Sequence, residues 1–307
     1  MEVNQIASTS ALLESVTPKG SGKIHDNTAR ILGKIVDFYH LPDWMQKDAH
    51  ITRGYRTGTK SFRACFHSLW YLHNESVDTW SHLISGTAFL AMLLWSFLPA
   101  LHGQSDTPAG PLHAARCQLV ATTICLYLSA FYHCVSCHSF HVSKICLKLD
   151  YLGIVLNISF TWISAIYFGL YGHRELTRWY ITQISICACI TFWVMLSSKM
   201  DGPQTALWRS ITFLSLGASG FAPMIHAALM DHISLKNFPL FYMITSTILF
   251  LTGTAVYVTR TPEKYWPGVF DVWGAGNQIF HVLVNIAQIS HILGLIEALT
   301  KLSEISN

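Results

Sequence analysis

Five polar side chains recur along one apolar stretch near the C-terminus, and their spacing gives them a common direction. Asn277, His281, Asn285, Gln288 and His291 follow one another at steps of four, four, three and three residues. These steps match the repeat of an α-helix, so all five side chains lie along one side of it. The row either forms hydrogen bonds between helices or presents imidazoles to a ligand such as a metal ion.

A second group of candidate residues lies near the middle of the chain. Ser129 and His133 are one helical turn apart at the end of an apolar stretch, and Asp150 begins the next one. Neutral imidazoles bind zinc, and a carboxylate beside the metal can take a proton from water. Together with His281, these residues form a candidate zinc site; the competing interpretation is that they are interior histidines with ordinary hydrogen bonds.

Two other patterns overlap this second group. The sequence from Cys134 to His138 has the spacing of a covalent haem attachment site, but such sites belong to exported domains. The same thiolates could instead hold a structural metal beside His133, although small cysteines packed at a helix end also explain the pattern. Ser129, His133 and Asp150 include the residue types of a serine hydrolase, but their spacing supplies no oxyanion donors.

The composition identifies the class of protein that must position these groups. Of 307 residues, 51% are hydrophobic and only 12% are charged, whereas soluble proteins carry about 25% charged residues. A soluble enzyme, a disordered chain and a nucleic-acid-binding protein are therefore poor fits. The remaining class is an integral membrane protein.

Seven apolar stretches have about the length that crosses a membrane. This pattern predicts an all-α membrane protein, a seven-transmembrane helix bundle over residues 78–299, with an N-terminal region over 1–77 and a short tail over 300–307. The spans are approximately His82 to Leu101, Leu119 to Cys137, Leu152 to Tyr171, Trp179 to Leu196, Trp208 to Leu229, Phe238 to Thr259 and Trp273 to Ile296.

The distribution of Lys and Arg predicts a cytosolic N-terminus and an external C-terminus, because cytosolic segments retain positive charge. Fifteen of the twenty Lys and Arg residues are then inside, nine of them before the first span. In this orientation His133, Asp150 and His281 share the cytosolic leaflet. The Asn74-Glu75-Ser76 glycosylation acceptor should stay unused.

Apolar residues in the N-terminal region recur at helical spacing between Asp26 and Trp44. They predict an amphipathic helix on the inner membrane surface. A small soluble cap is the alternative interpretation of the same stretch.

Several short sequence blocks occur in order between about residues 40 and 295. They are Leu41 to Trp44, Ser61 to Phe66, His73 to Glu75, Trp80 to Leu83, Tyr132 to Cys134, Cys137 to Ser139, Lys148 to Tyr151 with Gly153, Ser219-Gly220 with Pro223 and His226, Pro262-Glu263, Phe270 to Trp273 and Gln278 to Val284. Through these blocks the chain resembles the progestin and adipoQ receptor family, which includes the adiponectin receptors and haemolysin III proteins. The fungal members linked to zinc homeostasis are the most similar.

The resemblance implies seven helices with the N-terminus inside and a zinc ion near the cytosolic face. In the family, the zinc is held by a His at the end of the second helix and by two His one turn apart in the seventh. An acid after the second helix acts on a water molecule at the metal. Carried over by position, these are His133, positions 277 and 281, and Asp150, with Ser129 beside the site.

Position 277 departs from the family pattern, because Asn277 stands where the first His of the seventh helix is expected. An amide oxygen is a weak ligand for zinc compared with imidazole. Three explanations compete: a natural member of the family with a weakened or absent metal, a replacement His such as His82 or His291, or an engineered or erroneous residue at this position. His291 lies two to three turns deeper, too far to share the ion without rearrangement.

Two functions follow from the resemblance. The first is a zinc-dependent, ceramidase-like hydrolase of a lipid amide, which would receive its substrate from the membrane lipids. The second is a receptor or regulator of zinc, sterol or lipid metabolism with a structural metal or none, for which an extracellular protein is a candidate ligand. Neither involves nucleic acid, and both place the chain in the endoplasmic reticulum or the plasma membrane.

Overall fold

A computed structural model of the chain describes residues 35–96, 109–230 and 239–306, and these residues are mostly helical. The helices are α1 (Phe62–His67), α2 (Ser76–Trp95), α3 (Ala109–Val135), α4 (Phe140–Gly169), α5 (Arg174–Leu196), α6 (Ala206–Ser219), α7 (Phe221–Met230), α8 (Leu240–Thr259) and α9 (Gly276–Ser306). Two short strands, β1 (Ile35–Val36) and β2 (Tyr55–Arg56), pair antiparallel before α1.

Every predicted span overlaps one of these helices, which confirms the all-α membrane bundle. Among the described residues, six segments are long and apolar enough to cross a membrane, with α6 and α7 forming one of them across Gly220. The helix of the first predicted span, α2, is twenty residues long, carries Asp78 and His82, and is not among these six. The chain is a multi-pass membrane protein; residues 97–101 of that span and Phe238 lie outside the described part.

Helix α3 occupies the centre of the bundle. Its apolar window is 72% buried, whereas that of α8 is 11% buried. Gly153 lets α4 approach α3 closely, since a Cβ at that position would lie 2.9 Å from the Cα of Cys125. The outer helices expose large apolar side chains, including Trp193 and Phe241, as lipid-facing helices do.

Residues 35–75 form an N-terminal layer against the ends of the helices. Its buried side chains Phe38, Leu41, Met45, Tyr55 and Cys65 pack against Tyr132, Cys134, Val135, Cys137 and Cys146. The layer therefore shares a hydrophobic core with the ends of α3 and α4.

The predicted amphipathic helix is wrong over residues 35–44, and its earlier part lies outside the described residues. β1 occupies Ile35–Val36, and two single-turn 3-10 helices follow at Phe38–His40 and Asp43–Met45. Leu41 between them is extended, with φ −84° and ψ 147°, because the ring of Pro42 disfavours a helical conformation in the residue before it.

Arg56 on β2 joins the N-terminal layer to the end of α3. Its guanidinium is buried and donates hydrogen bonds to the carbonyl oxygens of His133 at 2.6 Å and Cys134 at 2.7 Å. The last carbonyls of a helix lack partners within it, and the negative end of the helix dipole favours a cation there. Arg56 thus fixes the turn that carries His133.

Candidate metal centre

Polar side chains from four helices converge beneath the N-terminal layer. One ligand atom each from Glu75, Asp78 and His133 lie within 4.8 Å of one another, the spacing needed to hold a metal ion. The ring of His281 on α9 lies beside this group, with its centroid 4.9 Å from that of His133. The start of α2, the end of α3 and the first turns of α9 therefore meet at one site.

Both the main chain and the side chain of His133 are held by hydrogen bonds. Arg56 binds its main-chain carbonyl, and its Nδ1 is paired with Oε2 of Glu75. The other carboxylate oxygen, Oε1, accepts from Nζ of Lys47 at 3.0 Å. A carboxylate on one imidazole nitrogen orients the ring and leaves the other nitrogen, Nε2, for a metal.

The Lys47–Glu75 pair carries separated charges at the edge of this site. Burial opposes ionisation of Glu75, but Lys47 and His133 hold its pKa well below the usual range. Burial likewise opposes charge on Lys47, yet Glu75 and Tyr132 raise its pKa above the usual value. Glu75 is therefore an anion next to His133.

His281 is oriented by α2. Its Nδ1 lies 3.3 Å from the main-chain oxygen of Asp78 and 3.9 Å from Oδ1 of the same residue. His82, one turn further along α2, stacks on the His281 ring, and neither ring nitrogen of His82 has a hydrogen-bond partner. Both imidazoles are buried.

Asn277 contacts this group through an acid. Its Nδ2 donates to Oδ1 of Asp78 at 3.0 Å. The amide thus holds the Asp78 carboxylate, which is itself only 4% exposed.

Asp150 and Ser129 lie on α4 and α3 next to the cluster. Both residues are buried. Oδ1 of Asp150 has no hydrogen-bond partner. A buried carboxylate with an open oxygen can accept a hydrogen bond or a proton from a bound molecule.

The remaining members of the C-terminal row serve a different role. Gln288 joins a hydrogen-bonded cluster between helices, made by Gln118, Thr122, Asn157, Thr161 and Gln288. His291 pairs with Ser164 at 3.1 Å instead of approaching His281. The row is therefore divided: Asn277 and His281 contact or lie beside the cluster of Asp78 and His133, and the deeper residues bind neighbouring helices.

The cysteine-rich sequence after α3 does not gather a second metal-ligating group. Cys134 and Cys137 are buried, and Sγ of Cys137 lies 3.7 Å from Sγ of Cys65. Within residues 35–96, 109–230 and 239–306, the group of three or more His, Cys, Asp or Glu with metal-binding spacing is the one at His133. These thiols pack the interface between the N-terminal layer and the bundle.

A large cavity opens from the cluster into the bundle. It has a volume of about 1090 Å³. Its polar end is lined by Lys47, Glu75, Asp78, His82, Ser129, His133, Asp150, Asn277 and His281, and its long apolar part by side chains of α4, α6, α7 and α8 such as Ile158, Phe213, Phe221 and Ile244. The predicted site residues therefore share one cavity with His82, which the sequence analysis names as a possible replacement ligand, and with two residues that it missed as site members: Glu75 and Asp78. The four-residue spacing of Asp78 and His82, an acid and an imidazole on one helical face, was the available signal.

A family model described as haemolysin-III related matches residues 70–292. The chain belongs to this haemolysin-III-related family. The match spans the bundle from the end of the N-terminal layer to the deep part of α9, so it includes the residues of the candidate metal centre. It confirms the resemblance carried by the sequence blocks.

Proteins similar to the chain come from animals, fungi and plants. A progestin and adipoQ receptor-like protein of Caenorhabditis elegans is 34% identical over 88% of the chain, and the adiponectin receptor protein of Drosophila melanogaster is 33% identical over 86%. The chain covers 62% and 59% of their lengths. An ADIPOR-like receptor of Saccharomyces cerevisiae is 30% identical, with 93% of the chain and 92% of the relative aligned.

Proposed function

We propose that the protein is a zinc-dependent hydrolase that cleaves an amide bond in a membrane lipid of the ceramide class. The observation that carries this proposal is the position of the His and carboxylate cluster at one end of a long apolar cavity. An amide of a long-chain lipid has the matching form, with a polar group to be cleaved at the end of an acyl chain.

The donor set fits a zinc ion. His133 and His281 supply two imidazoles, and a carboxylate from Glu75 or Asp78 supplies a third ligand. Two His and one carboxylate are a combination found in catalytic zinc sites. Asp78 and Asp150 are buried carboxylates without a Lys or Arg within 4 Å in the described residues, a situation that favours a nearby cation. Zinc would polarise the amide carbonyl and increase the acidity of water.

Asp150 is the residue that we assign to proton transfer. Asp150 lines the cavity and its Oδ1 has no hydrogen-bond partner, so the carboxylate would accept the proton of the attacking water and later deliver it to the leaving amine. Ser129 orients the carboxyl group through its hydroxyl. The role of each group depends on its protonation in the reacting complex and on its place beside the substrate carbonyl.

The cavity supports the choice of a lipid. Its apolar part is bounded by α4, α6, α7 and α8, while its polar end reaches Asp43 and Lys47 in the N-terminal layer. An acyl chain can be buried among the helices while water enters from the layer. The distribution of Lys and Arg predicts that this layer faces the cytosol, so the substrate would be taken from the inner leaflet.

The test is ceramide hydrolysis by the purified, zinc-loaded protein in lipid nanodiscs. Asp150→Ala should lower kcat by about 100-fold or more, the usual contribution of a general base. Glu175→Gln is a matched control, because this exposed acid pairs with Arg178 at the start of α5, away from the cavity. Equal activity in wild-type and Asp150→Ala protein would refute the proposal.

A receptor or regulator of zinc or lipid metabolism is the second candidate. The observation favouring it is the ion-paired chain from Lys47 through Glu75 to His133, which connects the N-terminal layer to the metal centre. Two of the relatives are named as adiponectin receptor or adipoQ receptor-like proteins, which makes an extracellular protein a candidate ligand. Removal of zinc by a chelator should then lower the melting temperature while ceramide turnover stays at the background rate.

A further inference from the structure

We propose that Asp78, in place of the expected His at position 277, is the third protein ligand of the metal, and that Asn277 positions it. The inference rests on the metal site of the proposed function but is independent of the reaction. It assigns the ligand set as His133, His281 and Asp78. Glu75 and His82 then lie outside the ligand set.

The environment of Asp78 calls for a cation. Its side chain is buried, and no Lys or Arg of the described ranges lies within 4 Å of its carboxylate. Lys47, a basic side chain at the edge of the cluster, is paired with Glu75. A carboxylate that is removed from water without a paired charge is costly, whereas coordination of a divalent ion compensates it.

The side-chain amide of Asn277 acts as a hydrogen-bond donor towards Asp78. A donor N–H does not bind a metal ion, but it can position a carboxylate that does. Its Nδ2 donates to Oδ1 of Asp78 at 3.0 Å, so this nitrogen is directed at the carboxylate. A bound carboxylate oriented by such a donor is a common feature of metal sites. The substitution of Asn for His at 277 therefore moves the ligand from α9 to α2.

Glu75 is less suited to the third position because both of its oxygens are engaged. Oε1 accepts from Lys47 and Oε2 is paired with Nδ1 of His133. These contacts make Glu75 the partner that orients His133. Asp78 has no such ion pair with a lysine.

His82 is excluded from the same ion by the direction of its lone pairs. A ring nitrogen binds a metal in the plane of its ring, at about 2.0 Å. The rings of His82 and His281 are almost parallel, with centroids 3.7 Å apart and an interplanar angle of 9°. An ion in the plane of one ring therefore lies well out of the plane of the other.

The resulting set of two His and one carboxylate is a known catalytic zinc combination and keeps a coordination position open. It also contains a negative charge that a set of three neutral His lacks. The ligand identity can be measured directly, without a substrate.

The experiment measures zinc affinity by competition with a chromophoric chelator and counts imidazole ligands by X-ray absorption. The proteins are wild type, Asp78→Asn, Asn277→Ala and the double variant Asp78→Asn/Asn277→His, each checked for monodispersity in detergent. We expect two imidazoles in wild type and a loss of affinity of at least about 100-fold in Asp78→Asn. Asn277→Ala should lose about 10-fold, as for other partners of metal ligands. The double variant should regain affinity to within about 10-fold of wild type and show three imidazoles, which also rules out misfolding as the cause of the first loss.

Three results would overturn the assignment: three imidazoles in the wild-type protein, unchanged affinity in Asp78→Asn, or no zinc bound to wild type. If the expected pattern is found and the wild-type protein cleaves no lipid amide, the ligand assignment stands and the hydrolase proposal fails. The two outcomes are therefore distinguishable.

Discussion

The imidazole rings of His82 and His281 lie face to face, with centroids 3.7 Å apart and planes that differ by 9°. The contact joins α2 to α9 one helical turn beyond the hydrogen bond between Asn277 and Asp78. Because His82 has no hydrogen-bond partner on either nitrogen, its visible contribution is to support the ring of His281. It also leaves a polar group on the cavity wall.

Replacing His82 with Phe should preserve the stack and therefore the metal. Phe retains a flat ring of similar width but cannot bind an ion, so we expect zinc affinity within about threefold of wild type. His82→Ala removes the stack and should weaken zinc by about 10-fold through loss of His281 orientation. Equilibrium zinc competition on both variants is the measurement, and complete loss of zinc in His82→Phe would show that His82 is itself a ligand.

Arg56→Gln should destabilise the bundle at the end of α3. The substitution removes a buried charge that binds the carbonyls of His133 and Cys134, leaving these oxygens poorly satisfied. A cost of about 3 kcal/mol is expected from charged hydrogen bonds of this kind. The melting temperature in detergent should fall clearly, whereas Arg53→Gln, at an exposed position of the same layer, should leave it unchanged. Equal melting temperatures for the two variants would contradict the capping role.

Gly153→Ala tests the close approach of α3 and α4. The added Cβ would lie 2.9 Å from the Cα of Cys125, so the helices must separate. Overpacking of this kind costs about 1–3 kcal/mol. Gly217→Ala on α6 is the matched control, since a Cβ there meets nothing within 4 Å and alanine favours the helix by up to about 1 kcal/mol. A melting temperature for Gly153→Ala at or above that of wild type would contradict the close packing of α3 and α4 at this glycine.

Asp201 should give the bundle a pH-dependent contribution to stability. Burial alone would raise the pKa of Asp201, but Lys148 and Lys144 hold it below the usual value. A depressed folded-state pKa stabilises the protein above the unfolded pKa, and this contribution is lost as the pH falls through the folded one. Asp201→Asn should therefore cost about 1 kcal/mol at neutral pH. The difference from wild type should disappear in melting scans as the pH falls below the usual Asp pKa of about 3.9 and through the depressed folded-state value; a constant difference across the range would contradict the assignment.

The burial of Asn74 changes how the membrane orientation must be tested. Its main-chain N–H donates to Gly54 and its carbonyl accepts from Gln278, and the side chain is 7% exposed. A lack of sugar on Asn74 is thus expected on either side of the membrane. A glycosylation acceptor fused to the C-terminus should be used in cells, and one fused to the N-terminus should not. The reverse pattern would contradict the inside N-terminus inferred from Lys and Arg.

Membrane helices could be predicted from the sequence because hydropathy and length are properties of each segment alone. His133, His281 and Asp150 were candidates for a related reason, since an ionisable group next to or inside an apolar span is rare enough to stand out. Glu75 and Asp78 were not recognised, because acids at the beginning of a helix are common and their partners are distant in sequence. Asp78 meets Asn277 only after α2 and α9 pack together.

The N-terminal layer shows the other limit of sequence patterns. The apolar spacing from Ile35 to Trp44 suits a helix, yet those residues fold into a strand and two short turns of 3-10 helix. Pro42 is the local signal that predicts an interruption of such a helix, because the residue before a proline disfavours the helical conformation. Phe38, Leu41 and Met45 are buried against the end of α3. This burial depends on tertiary contacts, which cannot be predicted from the spacing of apolar residues within one segment.

The most direct measurement is the zinc content of the purified full-length protein beside a His133→Ala/His281→Ala variant, both equilibrated with zinc and then freed of loosely bound metal. A metal centre at these residues predicts about one zinc per wild-type chain and almost none in the variant. Equal zinc in the two proteins, or none in the wild type, would contradict the existence of the site.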